Sequence, residues 1–243
     1  MMDIRKLAAG FGALIPLGLV MALSACDSAD ISINGEKGKP LAELDLTHAE
    51  AHELVLLGPD TVRLRQGDKL AIHVDGDTDN VLRFTLKDGT LGILRKPGVS
   101  NQGPITVDIT MPAPKSLTMA GSGQITAEAL AQDSQVSVAG SGNIETPHIA
   151  IGKLEVNIAG TGNYKAGGTA SGLELNIAGT GNARMAELKV GKAEINIAGT
   201  GDAEFASDGD IKASILGTGS VHVKGRAKCE VHAMGTGKVV CEA

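Results

Sequence analysis

Glu155, Glu174 and Glu194 recur at nearly equal spacing, and Asn157, Asn176 and Asn196 stand two residues beyond them. Carboxylates repeated on one face can hold a cation or bind a polar ligand in rows. Like charges placed side by side also repel one another. Lys153, Lys192 and Lys212 are close enough in sequence to relieve them. The pattern therefore describes either a ligand ladder or a charged, solvated face. The solvated face is the simpler reading, because exposed charges are easily accommodated in water.

Other chemical candidates are weaker. Asp75, Asp77 and Asp79 start like a calcium loop, but Asn80 and Leu86 occupy the positions where such a loop needs Gly and Glu. An acidic hairpin turn is expected instead. His48 and His52 would share one face of a helix, yet the His-Glu-x-x-His order of zinc proteases is absent. A solvent-facing or capping helical turn is expected there. No metal site and no cofactor is predicted.

These residues sit on a repeat. Gly-Ser/Thr-Gly occurs with its first glycine at Gly121, Gly140, Gly160, Gly179, Gly199, Gly217 and Gly235. A fixed period of this size marks a solenoid. Two and four residues before each glycine the chain is apolar, as in Val156 and Ile158, and the residue between is mostly polar. That period of two predicts a strand buried on one face. Repeated at every coil, it predicts an all-β, right-handed parallel β-helix with about seven regular coils of 18–20 residues and irregular coils before them. A left-handed hexapeptide helix needs a constant six-residue register, and none is sustained. The glycines permit positive φ and close stacking. The hydroxyls between them, Thr161 and Thr180 among others, can bond to the coils above and below.

Arg5 and Lys6 precede an apolar stretch over residues 7–23, broken by Pro16, and then Leu23-Ser24-Ala25-Cys26. The layout is that of a signal peptide, and a transmembrane anchor is the alternative. Leu23-Ser24-Ala25-Cys26 resembles a bacterial lipobox, which implies cleavage before Cys26 and lipid on its sulfur. Several acyl chains hold a protein firmly to a bilayer. Asp27 resembles an inner-membrane retention signal. The domains expected are a signal peptide (1–25), a flexible tether after lipidated Cys26 (26–40), and one β-helix domain (41–243). Residues 41–115 would form irregular first coils and 116–243 the regular ones.

Cys229 and Cys241 remain, flanking the last Gly-Thr-Gly. In an exported chain an even pair predicts a disulfide, with a metal site using His222 and His232 as the alternative. Solenoids can stack end to end, and a Cys229–Cys241 staple would favour a closed C-terminal end.

The formal net charge is −6, and one unit more negative without residues 1–25, which carry Asp3, Arg5 and Lys6. This balance excludes nucleic acid as the expected partner. Sugar-cleaving β-helices want paired or clustered carboxylates with a base nearby, and their grooves usually carry stacking aromatics. Tyr164 and Phe205 are the aromatics of the regular coils, and a Gly-x-Ser-x-Gly elbow is absent. A non-enzyme is expected.

Val74-Asp75-Gly76-Asp77, Asp88-Gly89-Thr90-Leu91, Val107-Asp108-Ile109-Thr110-Met111-Pro112 and the seven coils follow in order. This ordered set, over about residues 45–243, resembles the putative auto-transporter adhesin head GIN domain family. The resemblance implies a parallel β-helix on the bacterial cell envelope, with no catalytic residues to carry over. The expected function is a non-catalytic envelope lipoprotein, held to the membrane through Cys26 and facing the periplasm in preference to the cell exterior. Its β-helix face would take a protein or glycan partner. A periplasmic scaffold without an external ligand and a carbohydrate-active enzyme are the alternatives.

Overall fold

The computed structural model describes residues 32–77, 81–99 and 103–242. The signal segment, Cys26, Asp27, Asp79 and Asn80 lie outside the described residues. The first strands are β1 (Ser32–Ile33), β2 (Glu36–Lys37), β3 (Glu53–Leu57), β4 (Thr61–Gln66), β5 (Ala71–Asp75), β6 (Leu82–Lys87), β7 (Thr90–Arg95) and β8 (Thr106–Met111). Next come β9 (Ser116–Gly121), β10 (Gln124–Ala127), β11 (Asp133–Gly140), β12 (Asn143–Gly160), β13 (Asn163–Gly179) and β14 (Asn182–Gly199). The chain ends in β15 (Ala203–Ser207), β16 (Asp210–Gly217), β17 (Ser220–Lys224), β18 (Lys228–Gly235) and β19 (Lys238–Glu242). Strands β3 to β19 form one continuous sheet wound into a parallel β-helix. Helical structure among the described residues is one 3-10 turn, Leu41–Glu43. The segment holding His48 and His52 is extended or turned, and the ring of His52 lies over Gly89.

The long strand β12 shows how a coil is made. Its inward residues are Ile144, Thr146, Ile149, Ile151, Leu154, Val156 and Ile158. The in-and-out alternation slips at Pro147-His148 and again at Gly152-Lys153. It slips once more at Gly160-Thr161-Gly162. Each slip is a corner, so a coil has three faces: 143–146, 149–151 and 153–160. The register to β13 breaks at the first of these corners and is otherwise continuous. The inward residues stack into columns of branched aliphatics, with Tyr164 and Phe205 as the large rings. Tyr164 sits between Ile144 and the small Ala183, which offsets its bulk. Burial pushes the Tyr164 hydroxyl well above the usual phenol range. The hydroxyl is satisfied by Thr146 Oγ1 at 2.6 Å.

The glycine corners have two requirements. Gly160 adopts φ +112°, and a Cβ there would lie 2.6 Å from the Gly140 carbonyl oxygen. Both exclude a side chain. Coils are linked at this corner by backbone: Thr161 N donates to Gly140 O, and Thr180 N to Gly160 O, each at 2.9 Å. The expected hydroxyl ladder does not form. Thr161, Thr180 and Thr200 point to solvent, and the coil-to-coil bonds are already made by amides.

The first coils depart from chain order. Strands β3 and β4 pair in parallel with β9 and β10, so Gly58-Pro59-Asp60 takes the place of a Gly-Ser-Gly corner. Strands β7 and β8 stack on the other edge of β3 and β4. The chain thus lays down an inner coil first and then adds one outside it. Strands β5 and β6 close that end by running antiparallel to β8 and β7. The Asp75-Gly76-Asp77 segment is therefore not a hairpin turn, since the strands flanking it have different partners. The Asp77 carboxylate instead accepts the amides of Val81 and Leu82.

Residues 32–40 also differ from the tether expected. Strands β1 and β2 form a hairpin whose Ile33 is buried against Val55 and Leu94. Lys39 exchanges backbone hydrogen bonds with Phe84 at 2.9 and 2.7 Å. The short apolar content around Ile33 is enough to cover the outer face of β3 and β7.

At the C-terminal end Cys229 and Cys241 form the disulfide, which consumes the thiols of the rival metal site. His222 lies against Glu242 and His232 against Glu230, each at 3.3 Å. The staple does not close the end. The inward Val231 and Ala233 remain exposed, because no further coil lies over them among the described residues.

Candidate functional site: the third face and its ladders

The third face gathers the predicted residues into straight rows. Glu155, Glu174, Glu194, Lys212 and Glu230 follow Gln135 in register. Asn157, Asn176 and Asn196 form the next row, and Ala159, Ala178 and Ala198 the third. Rows in adjacent coils are ~4.8 Å apart, the spacing of paired strands. Outward residues on a strand alternate with inward ones, so these rows share one surface.

The asparagines are joined amide to amide. Asn196 Nδ2 donates to Asn176 Oδ1, and Asn176 Nδ2 to Asn157 Oδ1, both at 3.1 Å. Asn157 Nδ2 donates to Glu155 Oε1 at 3.0 Å, and Gln135 Nε2 donates to the same oxygen at 3.1 Å. Glu174 takes the ammonium of Lys153 at 2.9 Å. The Glu174 hydrogen bond holds the Lys153 pKa above its ordinary value. Lys212 is the strand neighbour of Glu194. Glu155 thus meets two amides and Glu174 an ammonium group. Among the described residues no three His, Cys, Asp or Glu side chains converge as a metal would require.

Sequence reasoning missed a second ladder on the first face. Asn182 Nδ2 donates to Asn163 Oδ1 at 3.0 Å, and Asn163 Nδ2 to Asn143 Oδ1 at 2.9 Å. Asp202 continues the row: its amide donates to Asn182 Oδ1 at 3.2 Å, and its Oδ1 accepts Ser220 N at 2.8 Å. The signal was present, since each of these residues follows a glycine corner, but side chains so placed read equally well as turn formers. Beside the row, Lys165 bridges Glu145 and Lys224 bridges Glu204. An open depression of about 430 Å³ lies here, lined by Arg184, Asp202, Glu204, Ser220 and His222. No Phe, Tyr or Trp lines it. Among the described residues no helix is long and apolar enough to cross a membrane.

Comparison with known proteins places this geometry. The family model described as putative auto-transporter adhesin, head GIN domain, matches residues 52–227. The match begins beside β3 and ends just before β18. A putative adhesin from Bacteroides fragilis has a similar structure, with TM-score 0.72 and 22% identity, over 80% of this chain and 93% of that one. A putative lipid binding protein from Parabacteroides distasonis gives TM-score 0.64 and 23% identity, over 80% and 93% of the two chains. A putative adhesin from Parabacteroides merdae gives 0.64 and 18%, over 80% and 92%. At these identities the likeness is one of fold. No functionally curated protein matches the chain.

Proposed function

The chain belongs to the putative auto-transporter adhesin head GIN domain family, and on that premise we propose that it is a non-catalytic lipoprotein of the bacterial cell envelope whose third face binds an extended protein or glycan. The observation that carries the reading is the set of in-register rows: Glu155 to Glu194, Asn157 to Asn196 and Ala159 to Ala198. Their hydrogen bonds fix the amides before any partner arrives, so little side-chain entropy is lost on binding. The alanine row lets a partner approach the backbone closely. The coil spacing of ~4.8 Å suits a partner with its own short repeat. Leu23-Ser24-Ala25-Cys26 supports lipid attachment at Cys26.

The test is accessibility followed by binding. An impermeant label applied to intact cells, with lysed cells as control, distinguishes exterior from periplasm. Labelling in intact cells directs glycan and matrix screens to the third face. Protection until lysis favours periplasmic partners and the retention reading of Asp27. In either case Ala159→Glu with Ala178→Glu should abolish capture of the partner found. Full retention of that partner would remove the third face from consideration.

A further inference from the structure

Among the described residues, the exposed large hydrophobic residues are confined to one place. Leu216 is 56% exposed, Val231 42%, Met234 73% and Val240 39%. All lie in the last coil or beside it. Val231 occupies the column in which Val156, Leu175 and Ile195 are fully buried. It is a core position with no coil above it among the described residues. Strand β18 pairs only with β16, and β19 only with β17 and no other strand, so both carry a free backbone edge among the described residues. Such an edge is a template for another strand.

We propose that this end is an interface with a second copy of the chain, formed by β18 pairing antiparallel with itself about a two-fold axis at Val231. Three observations select that occupant. First, the opposite end is closed by β5 and β6, which run against the coil direction, so head-to-tail continuation of the parallel stack has no seat. A tail-to-tail contact closes on itself and uses the same patch twice. Second, the charges of the last coil balance, Lys228 and Lys238 against Glu230 and Glu242, although the chain as a whole is acidic. Third, β18 is complementary to its own reverse. With Val231 on the axis, Glu230 faces His232 of the second copy, and His232 faces Glu230. Cys229 faces Ala233, so inward residues meet inward residues and the two cores become continuous. A shift of two residues either way would place Glu230 against Glu230 or His232 against His232. A shift of one would turn core positions outward. The last coil lies beyond the residues matched by the family model.

The test places a photo-cross-linking amino acid at Met234 of the full-length chain in cells. The expected product is an adduct of twice the monomer mass that contains only this chain. The same amino acid at Lys165 should give no such product. His232→Glu sets two like-charged pairs at the interface and should lower the yield roughly tenfold. Combining it with Glu230→His restores both pairs and should restore the yield. Position 232 is exposed, so these variants keep the fold, and unchanged protease resistance checks that they do. The proposal is overturned by an absence of self-adduct, by an adduct to a different protein, or by a self-adduct indifferent to His232→Glu.

Discussion

Arg95 reaches from the outer coil to Asp60 in the coil beside it and grips it at both oxygens, Nη2 to Oδ1 at 2.6 Å and Nε to Oδ2 at 3.0 Å. Asp60 is fully buried, and its Oδ1 also accepts the amide of Ile105 at 2.9 Å. The pair ties the corner of the inner coil, β3 and β4, to the outer coil, β7 and β8. The Asp60 hydrogen bond holds the Arg95 pKa above its ordinary value. Breaking a buried pair leaves a charge without compensation. Asp60→Ala should therefore destabilise the fold by about 3–5 kcal/mol, read as a lower urea midpoint. A loss no larger than that of an exposed substitution would show that the pair does not hold the two coils together.

Tyr164 is the only tyrosine in the chain, which makes its ionisation directly visible in ultraviolet absorbance. An unfolded tyrosine ionises near pH ~10, and burial raises the folded value above that. The stabilisation this implies is complete below the unfolded value and is lost as pH rises past it. Phenolate should appear together with loss of β circular dichroism, in one transition. Phenolate formed while the fold persists would contradict the buried geometry.

The same residue pair makes a second prediction. Tyr164→Phe leaves the buried Thr146 hydroxyl without its partner. An orphaned buried group costs about 1–3 kcal/mol. Adding Thr146→Val removes the orphan and should recover most of the loss. A double variant no more stable than Tyr164→Phe would assign the cost to packing instead.

At the corners, Gly160→Ala combines a disfavoured φ with a Cβ driven onto the Gly140 carbonyl. The backbone strain alone is on the order of 1–3 kcal/mol. Ala159→Ser, one position earlier and outward, should be nearly neutral. Thermal denaturation of the two variants side by side checks the contrast.

The parts of this fold visible in sequence are those imposed by backbone and parity. Only glycine fits where coils approach at Gly140 and Gly160, so the repeat is written in glycines. Outward and inward residues alternate, so the sequence alone places the rows containing Glu155 and Asn157 on one face. What alternation does not encode is which strand neighbours which. Strands β4 and β8 open on the same polar-apolar alternation, and the stacking of β7 and β8 outside β3 and β4 depends on pairings between distant segments. Asp60 was hidden for the same reason: its partner Arg95 is brought near by coil order alone. The open C-terminal end was missed because a disulfide fixes the chain path there without covering Val231.

That distinction between fixing and covering yields the last prediction. Cys229 and Cys241 both point inward, stacked over Ile211 and Val223. The disulfide joins the third face to the first across the top of the core. Closing a loop of this length is worth about 3 kcal/mol in the chain-entropy account, but both sulfurs belong to the last coil, at the open end. Reduction should therefore loosen β18 and β19 and leave the coils beneath them intact. Amide hydrogen exchange should show lost protection over Lys228–Gly235 and Lys238–Glu242, with β12 to β14 unchanged. Protection lost through β14 would instead mean that the coils unfold as one cooperative unit and that the staple secures the whole solenoid.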